Sequence, residues 1–428
     1  MLIRNDQVHD EFPGVPASAR AVDDAEIVTP GLAAASYRGV ISRSHWLKPT
    51  GQRVTALVLL GSVFGVGSTC RCAAEEPAIR ILHRATVFHH TGTDPKDPAN
   101  ATGFNHCPSL TLLPDGRLLA VWISGPFEGS SRQKLLGSFS SDQGRTWSAA
   151  DTVQDFPGKA DFDPAFVASG KKTFLFFSAG LWQTYPFETG QVGPVGGDSF
   201  RVYMRESADA GRTWSIPREV YSEPGHGSRT NGIRLASGEL LVPVHRNGTR
   251  SGGVLKSTDD GRTWKRYGNV ANPAGHGGEP TIAELKSGKV MMLLRTKDGE
   301  LWRAYSSDQG ESWTTPDKTG LPATASSHNL FRTRDGVLVL THNPSKPSVR
   351  TPLTMRLSVD DGATWGPPTV IAEIEFPVED VSWQVCYPSV VEFPDRTLAL
   401  VWARRRHTPN ELYGDIHSAR VELRAVGR

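Results

Sequence analysis

Five copies of one eight-residue phrase constrain this chain more than any bulk property. Ser-x-Asp-x-Gly-x-Thr-Trp recurs at residues 140–147, 207–214, 257–264 and 358–365, and at 306–313 with Ser312 in the Thr place. The Asp residues of the phrase (Asp142, Asp209, Asp259, Asp308 and Asp360) lie 67, 50, 49 and 52 residues apart. Periods of that length mean a repeat architecture. Asp accepts hydrogen bonds from turn amides, Gly takes positive φ without penalty, and the Trp gives each turn a large apolar side chain to pack. The phrase therefore reads as a hairpin turn staple that locks each repeat, in preference to a sugar or metal contact.

A second landmark precedes each phrase: an apolar run, a Gly- or Asp-containing turn, and another apolar run. Its six copies begin at Cys107, Asp163, Thr230, Glu279, His328 and Cys386. Two strands and a tight turn explain each copy, and the octapeptide then marks the turn from a third strand to a fourth. Six strand pairs, five completed by an octapeptide, predict an all-β, six-bladed β-propeller of four-stranded blades. In the sixth blade, residues 414–423 are expected as third strand and residues 79–88 as the strand that closes the ring and removes a free sheet edge. Forty-three Gly and thirty Pro fit a chain with many turns.

Nothing resembling a linker marks a second globular domain, so residues 78–428 read as the propeller and residues 1–77 as an extension. Within that extension, residues 54–67 form an uncharged apolar run preceded by Lys48 and Arg53 and followed by small residues. This looks like a secretory signal peptide, and it is too short to span a bilayer comfortably as a helix. Some 44 residues precede its positive flank, so either the start is placed early or the leader is long. Cys70 follows Gly-Ser-Thr, a poor match to a lipid-attachment signal. Secretion or export to a periplasm is the expected destination.

With 47 Lys+Arg against 45 Asp+Glu, the charge balance gives no footprint for nucleic acid or an acidic membrane surface. Recognition of an acidic substrate must be local. Cys107 and Cys386 occupy nearly the same place in blades 1 and 6, which a ring makes neighbours. They are either a disulfide clasp across the closure or two buried thiols.

Strand parity places the candidate chemistry. If the chain enters each inner strand from the top, the octapeptides lie at the bottom, and residues just before an inner strand or just after the second strand converge on the top mouth. That set comprises Phe104, Asn105, His106 and Glu128 of blade 1, Asp161 and Asp163 of blade 2, and His226, Arg229, Asn231, His245 and Arg246 of blade 3. Blades 4 to 6 add His276, Glu279, Arg295, His328, Asn329, His342, Asn343, Asp380, Trp383, Tyr387 and the run from Arg404 to His407. Such polar groups at the ends of apolar strands are costly to bury without partners. Together they form a mouth rich in Arg, His and carboxylate, suited to an anionic sugar. The histidines come from separate blades without short ligand spacing, so no metal is expected, and no cofactor.

The five octapeptides, the six-fold pattern and phrases such as PSLTLLPDGRLLAVW and LWRAYSSDQGESW resemble the bacterial sialidase superfamily with BNR or Asp-box repeats. The resemblance covers nearly everything after the leader, and its motifs are specific for the propeller more than for activity. It implies an exo-glycosidase that grips a sugar carboxylate with three arginines, attacks with a Tyr activated by a Glu, and protonates the leaving group with an Asp. Sialidases depart from the two-carboxylate scheme of most glycosidases in this way. By position, Tyr387 is similar to the nucleophile, Glu279 to its activator and Asp163 to the acid, while Arg246, Arg295 and Arg404 would form the clamp.

Blade 1 departs from the family. Phe104-Asn105-His106-Cys107-Pro108 stands where an Arg-Ile-Pro-like signature is expected, and Glu128 is the nearest carboxylate of that blade. Three readings stay open: a hydrolase of a terminal acidic sugar, a uronate polysaccharide lyase in which His106 or His342 and Tyr387 move the proton, and a non-catalytic glycan-binding propeller.

Overall fold

The computed structural model describes residues 78–181, 199–246, 251–271, 278–375, 382–408 and 411–424. The leader-like run, His276 and Asp380 lie outside the described residues. Among the described residues there is no α-helix, and every sheet is antiparallel with its strands in chain order, apart from one closing strand.

From inner to outer strand, blade 1 is β2 (Phe104–Leu112), β3 (Leu118–Gly125), β4 (Lys134–Ser140) and β5 (Asp151–Gln154). Blade 2 is β6 (Ala160–Ser169), β7 (Lys172–Gly180), β8 (Arg201–Ser207) and β9 (Arg218–Tyr221). Blade 3 has a broken inner strand, β10 (His226–Ser228) and β11 (Ile233–Arg234), followed by β12 (Leu240–Arg246), β13 (Gly252–Ser257) and β14 (Lys265–Val270). Blade 4 is β15 (Gly278–Glu284), β16 (Val290–Arg295), β17 (Glu300–Ser306) and β18 (Asp317–Pro322). Blade 5 is β19 (Asn329–Arg332), β20 (Leu338–His342), β21 (Leu353–Ser358) and β22 (Thr369–Ala372). Blade 6 is β23 (Trp383–Glu392), β24 (Leu398–His407), β25 (Leu412–Leu423) and, as its outer strand, β1 (Ile79–Phe88). The first described strand thus closes the last blade, as expected for a six-bladed propeller.

The apolar core lies between blades. One buried cluster joins each neighbouring pair, from blades 1 and 2 through to blades 6 and 1. Each octapeptide joins the third strand of its blade to the fourth. In the third copy Ser257 Oγ accepts from Gly261 N (2.9 Å) and donates to Asp259 Oδ1 (2.8 Å), while the Asp259 carboxylate accepts from the Thr263 amide and hydroxyl. The other four copies repeat these bonds, with the Ser312 hydroxyl replacing that of Thr. Bonds to the charged form hold each Asp carboxyl at about 2, led by the Thr or Ser hydroxyl. The Trp reaches back to the preceding blade: Trp264 packs edge-on against Phe176 of blade 2 at 4.8 Å, and Trp147 Nε1 donates to Ser418 Oγ of blade 6 at 3.1 Å.

A feature of the inner strands positions the site. Cys107, Asp163, Glu279 and Tyr387 each have positive φ (51°, 55°, 46° and 61°), each precedes a Pro, and each sits at a register shift between inner and second strand. Left-handed backbone at a non-Gly residue costs about 1–3 kcal/mol, and a bulge re-aims the side chain it carries. Four blades therefore share one device at one level.

Candidate functional site

The bulges bring Tyr387 of blade 6 and Glu279 of blade 4 together. Tyr387 Oη donates to Glu279 Oε1 at 3.0 Å and accepts from Arg295 Nη1 at 2.9 Å, and the same Arg295 nitrogen donates to Glu279 Oε1. Burial alone would raise the Glu279 carboxyl, but the charges of Arg295 and Arg229 outweigh it and hold it at about 2. Burial pushes the Tyr387 phenol up, and Arg295 and Arg350 offset this only in part. The resting state is therefore a neutral phenol hydrogen-bonded to an ionised carboxylate.

These residues line a cavity of about 760 Å³ to which blades 1 and 3 to 6 contribute. Its blade 6 wall holds Gln384, Arg405 and His407. Gln384 Oε1 accepts from Arg405 Nε (2.9 Å) and from Arg350 Nη1 (3.3 Å), so one amide sets two guanidinium groups side by side. Arg350 comes from the segment between β20 and β21, donates also to the Ala325 carbonyl at 3.0 Å, and lies 5.5 Å from the Tyr387 ring centre. Arg405 is buried and approaches Glu128 Oε2 at 3.8 Å. The His106 ring packs 4.1 Å from that of Tyr387, and burial together with Arg405 and Arg350 holds it well below the usual imidazole range, hence neutral. Burial and Arg405 likewise lower His407 to about 4.

The residues expected at the mouth divide as follows. Tyr387, Glu279, Arg295, Arg246, His245, His106, Glu128, Arg405 and His407 line the cavity, Arg246 at its exposed rim 3.6 Å from Glu223 Oε1. Asp163 stands behind the wall. Burial raises its carboxyl to about 7, with Arg229 opposing and Glu279 adding. Arg229 is fully buried beside it, 4.8 Å from the Tyr387 ring centre.

Arg404, Asn105 and His342 stand outside the cavity. Arg404 pairs with Val385 on β24 and lies over the Trp383 ring at 4.9 Å, whereas Arg405, paired with Gln384, faces inward. Side chains alternate along a strand, so a shift of one residue exchanges the faces. Asn105 is a structural tie: its Nδ2 donates to the Gly414 carbonyl at 2.9 Å, and its Oδ1 accepts from Trp122 Nε1 and Ser124 Oγ. His342 is buried within blade 5, where burial lowers it to about 3. Asn231 and Asn329 belong to the opposite end of the channel.

Cys107 and Cys386 are buried free thiols. They are not equivalent, because the bulge aligns Cys107 with Tyr387 and leaves Cys386 one step earlier. Arg350 was not expected, since it follows no strand end. Arg405 and Gln384 carried a signal in the alternation of β23 and β24. Among the described residues no group of His, Cys, Asp or Glu is placed to hold a metal ion.

Residues 116–400 match the family model described as BNR repeat-like domain. The chain belongs to the BNR repeat-like family. This BNR repeat-like protein is 27% identical over 329 residues to a sialidase of Micromonospora viridifaciens, covering 69% of this chain and 49% of that one, so it spans about half the relative's length. Among solved structures, a Dyadobacter fermentans protein of unknown function superposes with a TM-score of 0.64 at 16% identity, covering 81% of this chain and 100% of that one. The NanB sialidase of Streptococcus pneumoniae gives 0.63 at 16% identity, covering 79% and 70%. A leech intramolecular trans-sialidase gives 0.59 at 16% identity, covering 79% and 70%. At such identities these structures show the fold alone.

Proposed function

We propose that the protein is an exo-glycosidase that removes a terminal carboxylate-bearing sugar from a glycan, with Tyr387 as nucleophile. The observation that carries this reading is the hydrogen bond from a neutral, buried phenol to an ionised Glu279, with Arg295 fixing both. As Tyr387 Oη forms its bond to the anomeric carbon, its proton passes to Glu279 and the glycosidic C–O bond breaks. Glu128, the other carboxyl on the cavity wall, would protonate the leaving oxygen and then deprotonate the water that releases the sugar, the role the resemblance gave to Asp163. Glu279 returns its proton to the phenol in that second step. A neutral nucleophile suits a sugar whose own carboxylate lies beside the reaction centre, where a carboxylate nucleophile would be repelled.

Arg295, Arg350 and Arg405 are the guanidinium groups that would hold the sugar carboxylate, each able to donate two parallel hydrogen bonds. Arg405 of blade 6 would supply the third guanidinium group where blade 1 offers no arginine. If residues 54–67 act as a secretory leader, the enzyme works on glycans outside the cytoplasm.

A second reading rests on His106. A neutral imidazole against Tyr387, beside guanidinium groups that would neutralise a uronate, is the equipment for removing the proton next to a carboxylate. Parallel assays separate the two. Turnover of a fluorogenic α-sialoside supports the hydrolase, and an ultraviolet-absorbing unsaturated product from uronate polysaccharides supports the lyase. Binding of these glycans without either product would mean a glycan-binding propeller and overturn both.

A further inference from the structure

The inner strands that present Tyr387 and Glu279 at one end of the channel build a second cavity at the other. It has a volume of about 490 Å³ and draws lining residues from all six blades. On β23, Tyr387 lines the first cavity and Val391 the second. Four residues of strand separate them by roughly 13 Å.

Asn231, on the wall of the second cavity, ties the inner strands to one another. Its Oδ1 accepts from Ser109 Oγ (2.6 Å) and from the Phe166 amide (2.9 Å), and its Nδ2 donates to the Leu110 carbonyl (2.8 Å) and Ser389 Oγ (3.3 Å). All four hydrogen-bonding positions of that amide are filled, tying blades 1, 2, 3 and 6 across the axis. The two cavities share no lining residue, so the second is separate from the first.

Its polar groups are arranged for a guest. Asn329 is buried at 4% exposure, yet its Oδ1 has no hydrogen-bond partner, and neither has the buried Nε of Arg332. An unpaired buried polar atom costs about 1–3 kcal/mol, so a ligand whose binding turns these two side chains toward the cavity and pairs both atoms is favoured. The two carboxylates on the wall are already engaged: Glu284 accepts from the Ala236 amide at 2.9 Å and Glu392 from the Arg334 amide at 2.8 Å. Against them stand Arg234, Arg332 and Arg334, leaving an excess of positive charge. Phe166, Ile233 and Val391 supply apolar walls. The volume lies within the range of small-molecule sites.

We propose that this second cavity binds a small hydroxylated carboxylate with an apolar body, its hydroxyl donating to Asn329 Oδ1 and its carboxylate accepting from Arg332. The site is a binding site, independent of the chemistry at Tyr387.

Mandelate carries a phenyl body, a hydroxyl and a carboxylate. Phenylacetate lacks the hydroxyl, and 1-phenyl-1,2-ethanediol lacks the carboxylate. Calorimetric titration of the full chain carrying Arg350→Ala, which disables the first cavity, is expected to give saturable mandelate binding at one site. Both analogues should bind at least about tenfold more weakly, the loss expected for one hydrogen bond to a charged group or a buried acceptor. Arg332→Gln should weaken mandelate by a similar factor, and Val391→Phe, which fills the cavity from blade 6, should abolish binding, with thermal unfolding confirming that each variant is folded. Absence of saturable binding overturns the proposal. So does mandelate binding that Val391→Phe leaves unchanged, or equal affinity for phenylacetate.

Discussion

At the scale of single residues, the site depends on charges held away from their usual values by burial and by neighbours. Glu279 stays ionised because Arg295 and Arg229 face it, so Tyr387 has a base within hydrogen-bonding distance at any ordinary pH. Tyr387→Phe removes the nucleophile and leaves the ring packed against His106. Turnover on the substrate found in the parallel assays should fall roughly a thousandfold or more with an unchanged unfolding temperature. Arg350→Ala should mainly raise KM, lowering kcat/KM by about ten- to a hundredfold, the loss of a charged hydrogen-bond pair. The buried carboxyls of β6 work in the opposite sense to Glu279. Burial raises Asp161 to about 8 and Asp163 to about 7, above their unfolded value. The folded protein then keeps protons that the unfolded chain releases, and stability present in mild acid is lost as pH rises through 7 and 8. Buried neutral His106, His342 and His407 act in the opposite sense, because the unfolded chain protonates them below about 6.5. The carboxyl contribution is therefore read as a difference between proteins: Asp161→Asn should raise the unfolding temperature at pH 8 relative to that at pH 5 by a few degrees compared with the unaltered chain, and an unchanged pH dependence would contradict this reading.

At the scale of the element, the octapeptide turn and the inner-strand bulge differ in what the chain discloses. The turn was legible because its bonds join residues two to four apart, and the same residue types recur in every copy. The bulge was less so. Its only local mark is an X-Pro dipeptide, and the residue before Pro varies from Cys107 to Asp163, Glu279 and Tyr387. Arg404 was expected in place of Arg405 for a related reason: a run of three arginines does not reveal which one faces inward until the register with Gln384 is known. The turns themselves make a prediction. Gly144 and Gly261 hold the same place with nearly the same φ, 85° and 81°, so the backbone penalty for Ala is shared. A Cβ on Gly144 would meet nothing closer than 3.6 Å, whereas one on Gly261 would meet Phe174 at 2.4 Å. Gly261→Ala should therefore cost about 1–3 kcal/mol more than Gly144→Ala in denaturant unfolding. Equal losses would mean that blade 2 yields without cost.

At the scale of the whole molecule, the six clusters between blades make stability a property of the closed ring, and β1 on β25 completes it. Removing residues 78–88 would bare the long β25 edge, and such edges pair with other chains. That truncation should give oligomers by light scattering and lose a single sharp unfolding transition. Fold and blade boundaries could be read from repeats because every blade restates them. The site could be read only in part, since it is assembled from side chains far apart in sequence, among them Arg350 in a connecting segment.

The central claim is that Tyr387 attacks the sugar. The most direct measurement is peptide mass spectrometry after incubation with a fluorinated analogue of the acidic sugar that turns over, chosen to slow release of a covalent intermediate. The account predicts one sugar added to the peptide bearing Tyr387, and none in Tyr387→Phe. An adduct on Glu279 or Glu128, or undiminished turnover in Tyr387→Phe, would contradict it.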